Sequence, residues 1–155
     1  MRDDISSALI FIKTKLNEKN ELLEKFLSIE LKIKEILDRS KEDDLSVLTS
    51  EQSNLLELIN VIEYDIAGKK DYIRGQTGKD FNLLLESGLS QYNHIKDEIK
   101  ISIQDAVERI KKISRLKKIN MNLLLNHAED LSRQVKELEI MNRLTIIPPK
   151  DQKYS

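Results

Sequence analysis

The chain has 155 residues, with 26 Lys+Arg against 27 Asp+Glu, a net charge of -1, 34% charged and 39% hydrophobic residues. Only 4 Gly, 2 Pro and 5% aromatics are present, too few turn formers for a many-stranded fold, which needs a turn about every 10 residues. Cysteine is absent, which removes disulfide staples, thiol nucleophiles and Cys-based metal sites together, and the near-balanced charge sets up no global field toward nucleic acid or anionic lipid.

The first segment carries Ile5, Leu9, Ile12, Leu16, Leu23, Phe26, Ile33 and Leu37 in alternating steps of four and three, with Lys19 and Glu30 in the two remaining slots. A second line through Leu22, Phe26, Ile29, Ile33 and Ile36 widens this stripe to the face of a helix packed against two neighbours. The spacing predicts a helix over about 4–39. The run Ser40-Lys41-Glu42-Asp43-Asp44 has no apolar residue and offers Asp44 or Ser46 as an N-cap for the next helix.

Leu45, Leu48, Leu55, Ile59, Ile62 and Ile66 form the second seam, with Gln52 as its one polar member. A short connection between two apolar-faced helices implies an antiparallel hairpin. This helix is expected over 45–73. Gly68, Gly75 and Gly78 mark the stretch that follows as the expected break, and Thr77 with Asp80 resembles a helix-starting box.

From Phe81 the apolar positions Leu85, Leu89, Tyr92, Ile99, Ile103, Ala106, Ile110, Ile113, Leu124, Leu131, Val135 and Leu138 keep helical spacing, predicting a third helix over 80–144. At 1.5 Å per residue it would run ~90 Å or more, against about 50 and 40 Å for the first two. Either Gly88 divides it, or its distal part reaches beyond the hairpin with its apolar face uncovered. Pro148 and Pro149 stop the helix, leaving 146–155 as an expected flexible tail. The fold class expected is all-α: an antiparallel helical hairpin plus a long third helix, a coiled-coil-like three- to four-helix bundle occupying 1–145 as a single domain.

No phosphate loop, nucleophile elbow or thiol site is present, so a non-enzymatic role without cofactor or metal is expected. His94 and His127 read as ordinary polar residues, because a metal site needs three or four converging ligands. Arg109, Lys111, Lys112, Arg115, Lys117 and Lys118 make an acid-free basic window. It can be a solvated face, a seat for an acidic protein partner, or a nucleic-acid or lipid contact; apolar residues thread it and stacking aromatics are missing, so no nucleic acid is expected. The first apolar stretch, Ala8 to Ile12, is far shorter than the ~18 residues of a membrane span, so membrane insertion and a secretion signal are not expected. Leu123, Leu124 and Leu125 together cover ~200° of a helix. Such a helix is either surrounded on all sides, in a four-helix bundle or dimer, or presents an apolar groove to a partner helix. Asn120 and Asn122 sit just ahead, where an amide at a helix seam can fix register.

The layout of Leu22 to Leu37, the acidic connector Glu42-Asp43-Asp44-Leu45, Leu48 with Glu51-Gln52 and Leu55-Leu56, and Ile119-Asn120-Met121-Asn122-Leu123-Leu124 resembles the FlgN family of flagellar type III export chaperones. The resemblance implies a cytoplasmic chaperone that binds the C-terminal amphipathic helices of hook-filament junction proteins, keeps them unpolymerised and delivers them to export-gate components. It also implies that the third helix carries client binding, with Leu116, Leu123, Leu124, Leu131, Val135 and Leu138 as anchors and Asn120 and Asn122 setting register. The alternative is a structural coiled-coil adaptor that forms a homodimer through the long helix.

Overall fold

The structure is a computed structural model and describes residues 2–39 and 45–146. The described residues are helical with no strand: α1 (Arg2–Asp38), α2 (Ser46–Thr77), α3 (Phe81–Ser87) and α4 (Asn93–Ile146), with one 3-10 turn at Ser90–Tyr92. The all-α expectation holds. The acidic connector, Asp44 as a cap, and the tail after Ile146 lie outside the described residues.

Helix register follows from cross-helix polar pairs. Ser102 donates to Asn17 and Arg109 to Glu24, both across 85 residues, so α4 runs parallel to α1. Lys19 pairs with Glu63 while Glu30 pairs with Gln52, so α2 runs antiparallel. The path is up, down, up. α1 lies at the centre and makes the principal contacts with both α2 and α4, which contact each other far less.

The heptad seams account for the core. At the lower end Ile5, Leu9, Ile12 and Leu16 of α1 meet Ile62, Ile66 and Ile73 of α2 and Ile99 of α4. α3 closes this end with Phe81, Leu84 and Leu85. A seven-residue helix is unstable alone, and burial of three large side chains, each contributing about 1.5–3 kcal/mol, holds it in place. The middle layer joins Leu23 and Phe26 to Ile59, Ala106 and Ile113; the upper one joins Ile29, Ile33 and Leu37, with Leu45, Leu48, Leu55 and Leu123 packed on them.

Four sequence expectations change. α2 ends at Thr77 rather than residue 73, passing through Gly68 and Gly75, whose open surroundings place them on the solvent side. The propensity cost of about 1 kcal/mol per Gly is outweighed by Ile66 and Ile73, both buried on the opposite side. Gly78 is the true stop, left-handed at φ 74 with its N–H on the Arg74 carbonyl. Thr77 belongs to that ending, since its hydroxyl donates to the Ile73 carbonyl and accepts from the Lys79 N–H; it does not open α3, and Asp80 makes no side-chain cap bond. At the other end of α2, Leu45 occupies the cap position and Ser46 is the first helical residue.

The fourth change is the expected helix over 80–144, which is broken at Gly88. An ideal Cβ at Gly88 would lie 2.5 Å from Leu84 Cδ2, and Leu89 follows in the left-handed region at φ 54. The buried Lys96 ammonium donates to the Gly88 carbonyl and fastens this corner to α4. Both alternatives posed by the sequence are realised together: Gly88 divides the segment, and the distal part of α4 still outruns its neighbours.

Candidate functional site

At the 85-residue offset, Asp38 at the end of α1 is level with Leu123. α4 therefore projects from Leu124 to Ile146 beyond its central partner, roughly 35 Å at 1.5 Å per residue. Its seam continues there uncovered: Leu124 is 41% exposed, Leu131 62%, Val135 48% and Leu138 58%. An apolar stripe of this kind is what helix-in-groove recognition uses, and isolated surface leucines do not line up at heptad spacing.

The predicted anchors separate into two groups. Leu124, Leu131, Val135 and Leu138 form the exposed stripe, and Asn122 is exposed beside it. Asn120 and Leu123 are turned inward: Leu123 packs on the Ile29, Ile33 and Leu37 cluster, and Asn120 is buried against α1. Leu116 is partly buried. Of the two asparagines, only Asn120 is placed to set a register, and the register is the chain's own.

Asn120 belongs to a buried polar junction that joins three helices. Its Nδ2 donates to Glu30 Oε2 at 2.6 Å and to the Glu30 carbonyl at 3.1 Å. Gln52 Nε2 of α2 donates to Glu30 Oε1 at 2.7 Å, and the Lys117 ammonium lies 3.3 Å from the same oxygen. Glu30 is almost fully buried, and these donors replace the water its carboxylate gives up. Asn120 Oδ1 has no partner in this junction. Lower down, the buried Asn20 donates to the Ser102 carbonyl and repeats the tie between α1 and α4.

Sequence reasoning noted Glu30 and Gln52 as polar exceptions in separate seams and missed their meeting. It also missed the cleft between α2 and α4. Leu23, Phe26, Ile59 and Ile113, all buried, form its floor and walls; Leu56 and Ile110 stand half exposed at its mouth. The Lys19–Glu63 ion pair at 2.7 Å bounds it on one side, and Lys117, 5.0 Å from the Phe26 ring centre, on another.

His94 lies 3.7 Å from Glu98 on an exposed surface, and no group of three His, Asp or Glu able to hold a metal occurs among the described residues. No described helix is long and apolar enough to cross a membrane. In the basic window, Arg109 is spent on Glu24 and Lys117 on Glu30. Lys111 reaches Glu108 only at 3.9 Å, and Lys112, Arg115 and Lys118 have no ion pair among the described residues.

Comparison with known proteins finds no matching family model, no similar curated protein and no similar solved structure.

Proposed function

We propose that the chain is a non-enzymatic, cytoplasmic export chaperone of the FlgN type. It binds the C-terminal amphipathic helix of hook-filament junction proteins, keeps them unpolymerised and passes them to the flagellar export apparatus. The observation that carries this reading is the uncovered seam of α4, with Leu124, Leu131, Val135 and Leu138 exposed at helical spacing beyond the end of α1. A partner helix laid along that seam gains the burial that the chain itself does not supply, and the partner's own assembly surface is hidden in the same step. The family assignment is carried by the sequence resemblance.

The test is titration of labelled C-terminal helices of the junction proteins encoded in the same genome. Saturable binding that Leu124→Asp and Leu131→Asp weaken by about tenfold or more, with helical content unchanged by circular dichroism, supports the reading. Absence of binding, or unfolding of both variants, overturns it.

A second reading is favoured by the interval of seven between Leu124, Leu131 and Leu138, the signature of a coiled-coil seam. In that case two copies pair through α4 constitutively. Sedimentation over a range of concentrations separates the two: the chaperone reading expects a monomer before loading, and a tight dimer that takes up no junction-protein peptide assigns the chain to the adaptor class.

A further inference from the structure

The projecting part of α4 carries an apolar seam without a gap. Met121, Leu124, Ala128, Leu131, Val135 and Leu138 follow one another in alternating steps of three and four, and all six are exposed. That alternation is the pattern by which one helix pairs with another in a coiled coil. One edge of the seam is lined by Lys118, Leu125, Ser132 and Glu139, which recur every seven residues. All four are exposed, and neither Lys118 nor Glu139 has an ion pair among the described residues. The edge is therefore basic near the bundle and acidic toward the tip, a polarity complementary to its own reversal. The opposite edge, His127, Gln134 and Met141, holds no Asp, Glu, Lys or Arg.

We propose that the occupant of this seam is a second copy of the chain, laid antiparallel along α4 about a two-fold axis. The layers are Met121 with Leu138, Leu124 with Val135, and Ala128 with Leu131 of the other copy, each formed twice. Along the charged edge Lys118 meets Glu139 and Leu125 meets Ser132, again twice each. The proposal rests on the second reading above, pairing of two copies through α4, and supplies the orientation, the register and the residues.

Other arrangements of two copies lose one of these features. Drawn one heptad further together, the antiparallel pair keeps an ion pair, now Lys111 with Glu139, but sets Val135 against Lys117 and Leu138 against Ser114, apolar against polar. Drawn one heptad apart, it leaves Glu139 against Leu125 and Ser132 against its own equivalent, and the ion pair is gone. In a parallel pair each edge faces the opposite edge of the other copy, so Glu139 meets Gln134 and Lys118 meets Ile113, which is already buried in the chain's own core. The chosen register is also free of collision. The bundle covers α4 only as far as Leu123, and Leu123 of the second copy falls level with Lys136, so roughly 20 Å of paired helix separates the two bundles.

The test uses the full chain and reads the dimer constant by sedimentation equilibrium at low salt. Lys118→Glu and Glu139→Lys, both at exposed positions, are each expected to weaken self-association about fivefold or more, because each sets like charges opposite one another at both ends of the pair. An equimolar mixture of the two variants is expected to associate as tightly as the original chain, since opposite charges then face each other at both ends. Register is read with Leu125→Cys and Ser132→Cys, which introduce thiols into a chain that has none. A short bis-maleimide reagent is expected to link the two variants when mixed and to link neither with itself. A mixture of the charge variants that pairs no better than each alone overturns the proposal. So does a dimer in which either cysteine variant links to itself, or in which the mixture does not link; in these cases the pairing of copies through α4 stands and only its orientation or register falls. A chain that stays monomeric at every concentration overturns the proposal and the second reading together, and leaves the chaperone reading untouched.

Discussion

Asn120 on α4 donates its amide to both the carboxylate and the main-chain carbonyl of Glu30 on α1, at 2.6 and 3.1 Å, across 90 residues of chain. Gln52 brings α2 to the same carboxylate. One buried acid thus ties all three long helices at one level, just below the point where α4 leaves the bundle.

The Glu30 junction is expected to couple its members strongly. Asn120→Ala removes a charge-assisted bond, and Glu30→Ala strands two amides, so each single change should cost about 2–4 kcal/mol in urea unfolding. A double-mutant cycle should return a coupling of about 1.5–3 kcal/mol. Replacing Glu30, Gln52 and Asn120 together by leucine is expected to be far less costly than the sum, because no buried polar group is left unpaired. A cycle showing no coupling would make the junction incidental to the register of α1 and α4.

Glu30, Gln52 and Asn120 also show what could be read from the sequence and what could not. Each stands out in its own seam, because a polar residue in an apolar stripe breaks the period. Periodicity reports the face of a helix and says nothing of its height against a neighbour, so their common level was invisible until the register was known. The same limit hid the cleft, whose residues Leu23, Leu56 and Ile110 come from three helices. By contrast, the mismatch in helix length needed only counting, and it led directly to the uncovered seam at Leu124, Leu131, Val135 and Leu138. Gly68 and Gly75 misled because a local propensity term is small against the burial of the seam opposite them.

The glycines of the chain should respond to alanine in opposite directions. Gly68 sits inside α2 with nothing within 4 Å of an added Cβ, so Gly68→Ala should raise stability by up to about 1 kcal/mol. At Gly88 the new methyl would press on Leu84, which is buried in the lower core, with Leu84 Cα itself 3.2 Å away. Gly88→Ala should lower stability by about 1–3 kcal/mol. Thermal unfolding of the pair checks both signs in one experiment.

Tyr72 of α2 faces Asp4 near the start of α1, and its hydroxyl is pushed above the ordinary value near 10.0, first by burial, then by the Asp4 carboxylate and its hydrogen bond. A raised value in the folded chain means the neutral phenol is favoured there. Its contribution to stability is therefore complete below the unfolded value and is lost as pH rises through the folded one. The tyrosinate absorbance assigned by difference from Tyr72→Phe should titrate above about pH 10. Asp4→Asn should bring that titration down toward the ordinary value, since both the charge and the hydrogen bond of Asp4 are weakened.

The projecting part of α4 is expected to contribute nothing to the stability of the bundle. Residues 128–141 are exposed along their whole length, and the apolar residues among them touch no buried cluster. An isolated helix of this length is marginal in water without packing. A chain ending at Leu125 should therefore unfold in urea within about 0.5 kcal/mol of the full chain, while losing capture of the partner helix. Amides over 128–141 should exchange with solvent well before those of α1, and binding of a partner helix should slow them selectively. A large loss of stability on truncation would mean that the bundle already uses this seam, and the surface assigned to the partner would belong to the fold instead.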